Sequence, residues 1–328
     1  MTPRPSEDAL IARYFAPLAG PGGLGLRDDA AELAPSPGHD LVLTTDAVVA
    51  GVHYFPDDPP ASIAVKALGV NLSDLAAKGA RPRGFLLTLA LAESWTEAWL
   101  AAFCAGLGAT AQRWGCPLLG GDTVRAAGPT LIGVTALGEV PAGRMVRRFA
   151  AKPGDRLLVS GTIGDAALGL RLRAEPAWAG ALSAAERDHL ADRYLHPRPR
   201  LPLAPALLAH AGAAMDVSDG LVGDLAKMLR ASGAGAEVDL AAIPLSPAAR
   251  AALAAEPGLR EAALTGGDDY ELLCAVPPAR LGAIRAEAEA AGIPLTPIGT
   301  VTEGPAPPRF RDRDGSDRIF AGGSFSHF

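Results

Sequence analysis

The chain has 328 residues, 49% hydrophobic and 20% charged, with a formal charge of −6 at pH 7. That length exceeds one ordinary domain, so two are expected, and the composition is that of a globular protein and not of a disordered or fibrous one. The acidic balance argues against a nucleic-acid partner: the nearest thing to a basic run is Arg144 with Arg147 and Arg148, which suits a small anion better.

The opening MTPRPSEDALIARYF has no basic segment followed by an apolar one, and no apolar run approaches the ~20 residues that span a bilayer, so a cytosolic protein without membrane contact is expected. Residues 8–18 predict a short helix, and the glycine-rich stretch 20–25 leads into a loop that presents Asp28 and Asp29. The run 41–43 predicts a buried strand that stops at Thr44, Thr45 and Asp46. Over 60–79, Ile63, Val65, Leu68, Leu72, Leu75 and Ala76 fall mostly three or four apart, one face of a helix, while Asn71, Asp74 and Lys78 make a second, polar stripe. Strands are expected at 85–91 and 131–140, around a helix near 95–114 and a short apolar run, 116–119, that ends in Gly120, Gly121 and Asp122.

The first domain is expected to close near 147, giving domains 1–147 and 148–328. Lys152-Pro153-Gly154-Asp155 is a turn signal, followed by a strand at 156–160 and a helix after Gly164. A polar helix at 183–194 precedes a proline-rich connection, 197–205, in which no regular helix is expected. The apolar stretch 211–215 ends at Asp216, and Ser218 with Asp219 stands where the next helix needs its cap. Strands at 236–240, 271–276 and 295–301 and a helix at 278–291 complete a layered α/β (α+β) pattern. Cys104, Cys116 and Cys274 are far apart and odd in number, which indicates neither a zinc site nor a disulfide framework and fits a reducing cytoplasm.

Acids recur where strands end: Asp28/Asp29, Asp46, Asp74, Asp122, Asp216/Asp219 and, more loosely, Asp268/Asp269. Each alone reads as a turn or cap residue. Gathered in one cleft they would repel by roughly 4 kcal/mol per pair at an effective dielectric near 20, so a cation is required. Oxygen donors without paired His or Cys point to Mg²⁺, and Mg²⁺ is usually completed by substrate phosphates, ATP being the commonest source. Neither a GxxxxGK[ST] loop nor a GxGxxG stretch occurs, which excludes a P-loop and a standard kinase fold. Taken singly, His53 is more often an ordinary core or surface residue, Lys78 a solvated partner of Asp74, and Arg148 part of an exposed basic turn; Ser218 can cap a helix and bind phosphate at once.

In order, Asp28-Asp29-Ala30-Ala31, Thr44-Thr45-Asp46 with His53, Asn71-Leu72-Ser73-Asp74-Leu75-Ala76-Ala77, Gly120-Gly121-Asp122-Thr123, Lys152-Pro153-Gly154-Asp155, Asp216-Val217-Ser218-Asp219-Gly220 and Asp269-Tyr270-Glu271-Leu272 resemble the thiamine-monophosphate kinases. The resemblance implies the two-domain fold of the aminoimidazole ribonucleotide synthetase superfamily: an N-terminal domain that binds ATP and Mg²⁺ and forms a homodimer through its sheet, and a C-terminal α/β domain that completes the cleft. It also implies direct in-line transfer from ATP to thiamine monophosphate, with no catalytic acid, base or nucleophile required of the protein. Carried over, Asp29, Thr44, Thr45, Asp46, Asp74, Asp122, Asp216 and Asp219 would bind Mg²⁺; Gly121, Asp122, Arg148 and Ser218 would contact ATP; His53 and Asp268 would contact thiamine monophosphate. Arg27 and Asp268 depart from the family's usual Gly and Glu, and Phe320 or Phe325 stands for its C-terminal aromatic contact. Related selenophosphate synthetases and hydrogenase-maturation proteins would need a cysteine near the N-terminus or at the C-terminus, whereas the first here is Cys104 and the chain ends in Phe328. An aminoimidazole ribonucleotide synthetase fits the 71–77 and 269–272 motifs less well, and a non-catalytic nucleotide sensor would not need the full set of acids.

Overall fold

In the computed structural model, which describes residues 5–320, the expected first helix is broken into turns. One α-helical turn, α1 (Glu7–Leu10), capped by Ser6, gives way to a π-turn at Ile11–Phe15 and 3₁₀ turns at Ala16–Leu18 and Pro21–Leu26. Pro17 and Pro21 lack the backbone donors that a continuous helix needs. Contacts divide the chain into two units, Met1–Leu75 with Arg81–Gly143, and Ala76–Ala80 with Arg144–Phe328.

The first unit contains β1 (His39–Val49), most of α2 (Pro60–Ala77), β2 (Arg81–Leu91), α3 (Glu97–Trp114), β3 (Leu118–Arg125) and β4 (Leu131–Pro141). Its sheet has the order β1-β4-β2-β3, with β4 antiparallel to both neighbours and β2 parallel to β3. β1 does not stop at Thr44 as expected. β4 supplies a partner for every residue from His39 to Val49, and threonine is a good strand former, so Thr44, Thr45 and Asp46 are interior to the strand. β3 likewise runs through Gly120, Gly121 and Asp122. Burial alternates with the period of two expected of a strand: Val42, Val48, Phe85, Leu87 and Leu89 are covered, whereas Leu43 is 62% and Leu86 38% exposed. Apolar residues of α2 and α3, including Leu68, Leu72, Leu100, Phe103 and Leu107, are fully buried. The opposite sheet face is open and partly apolar.

The second unit contains β5 (Arg156–Ser160), α4 (Asp165–Leu172), α5 (Ala184–Leu195), α6 (Ala204–His210), β6 (Ala213–Val217), α7 (Leu221–Ser232), β7 (Gly235–Asp239), α8 (Pro247–Ala255), α9 (Leu259–Thr265), β8 (Glu271–Val276), α10 (Leu281–Ala290), β9 (Leu295–Thr302), β10 (Arg309–Arg311) and β11 (Asp317–Arg318). The strands form one mixed sheet, β11-β10-β7-β9-β5-β8-β6, in which β10 and β7 are the parallel pair. Alternate residues feed two cores. Leu157, Val159, Met215, Val217 and Leu273 pack with Leu221, Leu225 and Met228 of α7. Leu158, Ala214, Leu272, Cys274 and Val276 pack with Leu207 of α6 and Ile284 of α10. Helices therefore cover both faces, which is why these strands read as continuous apolar runs. α6 begins at Ala204 with Pro205 in its first turn, where a missing donor costs nothing, so the connection 197–205 is not helix-free. α8 and α9 have no counterpart in the sequence reading, because alanine, which builds α8 and part of α9, favours helices without marking an apolar stripe. Among the described residues no helix is long and apolar enough to cross a membrane.

At the end of β4, Glu139 is 3% exposed and accepts hydrogen bonds from the Ser36 amide and hydroxyl, at 3.1 and 2.9 Å, and from Arg81 and Arg83. Burial opposes its charge, but these donors outweigh it and lower the carboxyl to about 2. Because the folded pKa lies below the unfolded one, this stabilisation is complete above about 4.5 and is lost as pH falls towards 2. We expect Glu139→Gln to lower the unfolding free energy at pH 7 by about 1–3 kcal/mol and to flatten the acid limb of stability between pH 4.5 and 2, measured by urea unfolding across pH. An unchanged acid limb would show that other carboxylates govern it.

Candidate active site

In the first unit, two residues of α2 reach β1. Asp74 accepts a short hydrogen bond from the Thr44 hydroxyl, and Asn71 Oδ1 accepts the Asp46 amide at 3.0 Å while its Nδ2 donates to Ala67 O. Asn71 and Asp74 are three apart, so one helical face carries both, as the polar stripe predicts. The third member of the stripe, Lys78, belongs to the second unit and donates there to the Ala214 carbonyl, at 3.0 Å. Thr44 and Asp46 have the same parity on β1 and share its covered side.

Thr45 faces the other way. Its hydroxyl donates to Val134 O at 3.2 Å and meets the Thr135 hydroxyl at 3.0 Å, on the open face. The side chain of Thr45 is therefore not grouped with those of Thr44 and Asp46, a consequence of strand alternation. Asp122 is also set apart. Asp46 is in register with Val134, Val134 with Leu87, and Leu87 with Gly121, so roughly 14 Å of sheet, three strand spacings, separates Asp46 from the Gly121–Asp122 step. Asp122 pairs with Thr88, an exposed residue of the open face. Gly121 has φ 153°, and a Cβ there would lie 1.9 Å from Leu87 O, so β2 and β3 can approach only around a glycine. Asp28 and Asp29 are exposed in the expected loop, which is stapled to β3 through the Gly20 amide on Leu118 O at 2.8 Å.

His53 lies in the turn after β1. Its Nδ1 accepts the Val49 amide at 3.0 Å, which leaves the ring proton on Nε2, and the buried Lys66 holds its carbonyl at 3.0 Å.

In the second unit Asp216 is buried within β6, opposite Leu272. Ser218 does not cap α7. The cap position is taken by Gly220, whose φ of 112° and approach to Thr265 O leave no room for a side chain. The amides of Ser218 and Asp219 both donate to Asp224 Oδ2, at 3.0 and 2.9 Å, so a carboxylate inside the helix organises the loop in front of it. Lys227 bridges Asp219 and Asp224. Burial raises the Asp224 pKa against the pull of Lys227; burial also works against the Lys227 charge, yet the two carboxylates hold its pKa above the ordinary value. Arg148 is exposed, and its carbonyl accepts from Ser232.

Asp268 and Tyr270 have left-handed backbone, φ 75° and 50°, at a cost of about 1–3 kcal/mol each. Their amides donate to Ser218 O and Val217 O, at 2.8 and 2.9 Å, which brings the loop 267–270 beside Ser218. Between them Asp269 is fully buried, and its carboxylate accepts the Gly164 and Ala166 amides ahead of and within α4. Burial pushes this carboxyl well above the usual range despite those donors. Glu271, also fully buried, is held by Ser160, Arg193 and Arg200. Asp224 and Lys227 could have been read from their helical spacing behind Asp219. Arg193 and Arg200 could not, since their partner is more than seventy residues away. Of the aromatic candidates, Phe320 packs edge-on against Phe310, and Phe325 lies outside the described residues.

Among the described residues no three His, Cys, Asp or Glu side chains form a ready metal cage. Oxygen donors in ones and twos, such as Thr44 with Asp74, suit a hydrated Mg²⁺ that phosphate oxygens complete, and do not suit an all-protein site.

Two family descriptions match the chain: AIR synthase related protein, N-terminal domain, over residues 27–140, and its C-terminal domain over 152–308. The thiamine-monophosphate kinase of Caulobacter vibrioides is 44% identical over 305 residues, covering 92% of this chain and 85% of the relative. The crystal structure of thiamine-monophosphate kinase from Stenotrophomonas maltophilia superposes with a TM-score of 0.80 at 41% identity, over 89% of this chain and 91% of the other. The structure of AaThiL complexed with AMPPCP and TMP gives a TM-score of 0.78 at 29% identity, over 98% and 94%.

The Asp224 arrangement has a measurable cost. Asp224→Ala leaves the Ser218 and Asp219 amides without their acceptor, and we expect a loss of about 2–3 kcal/mol in urea unfolding. A loss below about 0.5 kcal/mol, the scale of an ordinary surface change, would mean that solvent replaces the carboxylate.

Proposed function

The chain belongs to the thiamine-monophosphate kinases, with the two-domain fold of the AIR synthase related proteins, and from that membership we infer that it phosphorylates thiamine monophosphate to thiamine diphosphate at the expense of ATP. The observation that carries the reading is near-full-length identity of 44% to an enzyme of that name, together with a fold match to a homologue bound to AMPPCP and TMP. In the transfer, an oxygen of the thiamine monophosphate phosphate forms a bond to the γ-phosphorus as the bond to the β,γ-bridging oxygen breaks, and ADP leaves with that electron pair. The acceptor phosphate is largely ionised near neutral pH, its second pKa being about 6, so alignment and charge neutralisation suffice without a general base.

We assign Asp29, Thr44, Thr45, Asp46, Asp74, Asp122, Asp216 and Asp219 to Mg²⁺, which when bound would neutralise the phosphate charge. Support comes from the Thr44–Asp74 pair and the Asp46–Asn71 anchor, which hold oxygen donors on the covered side of β1. Thr45 would contribute through its carbonyl or from the open face. Gly121, Asp122, Arg148 and Ser218 are assigned to ATP, His53 and Asp268 to thiamine monophosphate. The Val49 amide on Nδ1 fixes the His53 ring in the turn directly after β1, which supports its role. Three buried, unbonded cysteines are consistent with a reducing cytoplasm. Purified protein should release ADP and thiamine diphosphate in equal amounts only when thiamine monophosphate and Mg²⁺ are both present. Asp46→Asn and Asp219→Asn should each cut turnover at least about 100-fold while shifting the nucleotide-free melting temperature by only a few degrees. ADP release with an aminoimidazole precursor but not with thiamine monophosphate would sink the assignment.

We further propose that the first domain, 1–147, carries the homodimer contact through the open face of its sheet, while 148–328 supplies the remaining nucleotide and metal contacts. Support is the exposure of Leu43 and Leu86 on that face and the edge position of β1, which among the described residues pairs with β4 alone. Leu43→Asp should sediment as a monomer at concentrations where the parent chain is a dimer. A parent chain that sediments as a monomer throughout would overturn the reading.

A further inference from the structure

Arg193 lies in the last turn of α5 and is 2% exposed. Its Nη2 donates to the Asp269 carbonyl and to Glu271 Oε1, both at 3.0 Å. These acceptors stand on either side of Tyr270, so one guanidinium grips the backbone where it passes through two left-handed residues, Asp268 and Tyr270. The remaining anchors act on single residues: the Gly164 and Ala166 amides on the Asp269 carboxylate, Ser160 and Arg200 on Glu271. Glu271 is further tied to its strand because Ser160 Oγ also accepts the Leu272 amide, at 2.8 Å. Among the described residues Arg193 Nη1 is buried without a hydrogen-bond partner. A buried donor left unmet is a poor device for stability alone, whereas a rigid guanidinium plane that aims one nitrogen, Nη2, at both acceptors suits a residue kept for its geometry.

We propose that Arg193 is the positioning residue of the substrate loop, fixing the left-handed course of residues 268–270 so that Asp268 meets thiamine monophosphate beside Ser218. The inference rests on the assignment of Asp268 to that substrate. The loop amides meet Val217 and Ser218 at their backbone carbonyls, whereas Asp268 lies within the gripped loop itself, so loss of the grip should be felt first by the acceptor substrate.

The test is steady-state kinetics on the full chain. Arg193→Lys keeps a charge for Glu271, but its ammonium sits on a shorter, flexible stem and lacks the rigid plane that aims Nη2 at both acceptors. It should raise KM for thiamine monophosphate about 10-fold, with kcat and KM for ATP within about 2-fold, a modest share of the roughly 100-fold that a 1 Å misplacement can cost. Arg193→Gln should go further in the same direction. Ser183→Ala, which removes the capping box at the other end of the same helix, should lower the melting temperature without moving KM. The proposal is overturned if Arg193→Lys leaves KM for thiamine monophosphate at the parent value, if it raises both KM values alike, or if Ser183→Ala raises KM as much at an equal loss of melting temperature. Should Arg193→Gln fail to fold, the lysine variant decides. Asp268→Ala separates the two readings: an unchanged KM there means the substrate assignment has failed, whereas a raised KM there with none in Arg193→Lys means the positioning role has failed.

Discussion

Carboxylates placed close together repel one another, and around the candidate site several acids are each held by donors of their own. Asp74 is engaged by the Thr44 hydroxyl, Asp224 by two backbone amides and Lys227, Asp269 by two amides near the start of α4, and Glu271 by two arginines. The partners differ in a way that tracks burial. Each of the three fully enclosed acids has at least two backbone-amide or guanidinium donors, whereas the more exposed Asp74 and Asp219 are engaged by a hydroxyl and a flexible ammonium. At Asp224 and Asp269 burial outweighs these donors and pushes the carboxyls up. Enclosed acids are thus suited to shaping loops, and accessible acids remain suited to exchanging their partner for a cation.

The two sheets use strand alternation for different ends. In the second unit both faces are covered and neighbouring residues of one strand enter different cores, so β6 and β8 are rigid supports for the loops that follow or precede them. In the first unit one face is open, and the same alternation sends Thr44 and Asp46 to one side and Thr45 to the other. The segment Thr44-Thr45-Asp46 therefore presents side chains to two surfaces at once.

Sequence patterns revealed most of the element order because the strands carry dense apolar runs and the longer helices carry clear stripes. They placed the ends of β1 and β3 too early, since polar residues inside a fully paired strand look like a stop. The separation of Asp46 from Asp122 was not legible, because it depends on the strand order β1-β4-β2-β3, and no local pattern encodes order. Ordered motifs such as 216–220 and 269–272 pointed to the right family without geometry. Arg193 and Glu271, 78 residues apart, left no trace in either sequence neighbourhood, whereas Asp224, an acid in the first turn of α7, carried a local signal.

The left-handed backbone at Asp268 and Tyr270 sets two selective pressures against each other. Glycine or asparagine at these positions would relieve torsional cost, so a search for heat-resistant variants would tend to enrich them. Such variants would also free a loop that the fold holds under tension. On the proposed contact of Asp268 with the acceptor, a lineage drifting to higher temperature would have to recover acceptor affinity elsewhere.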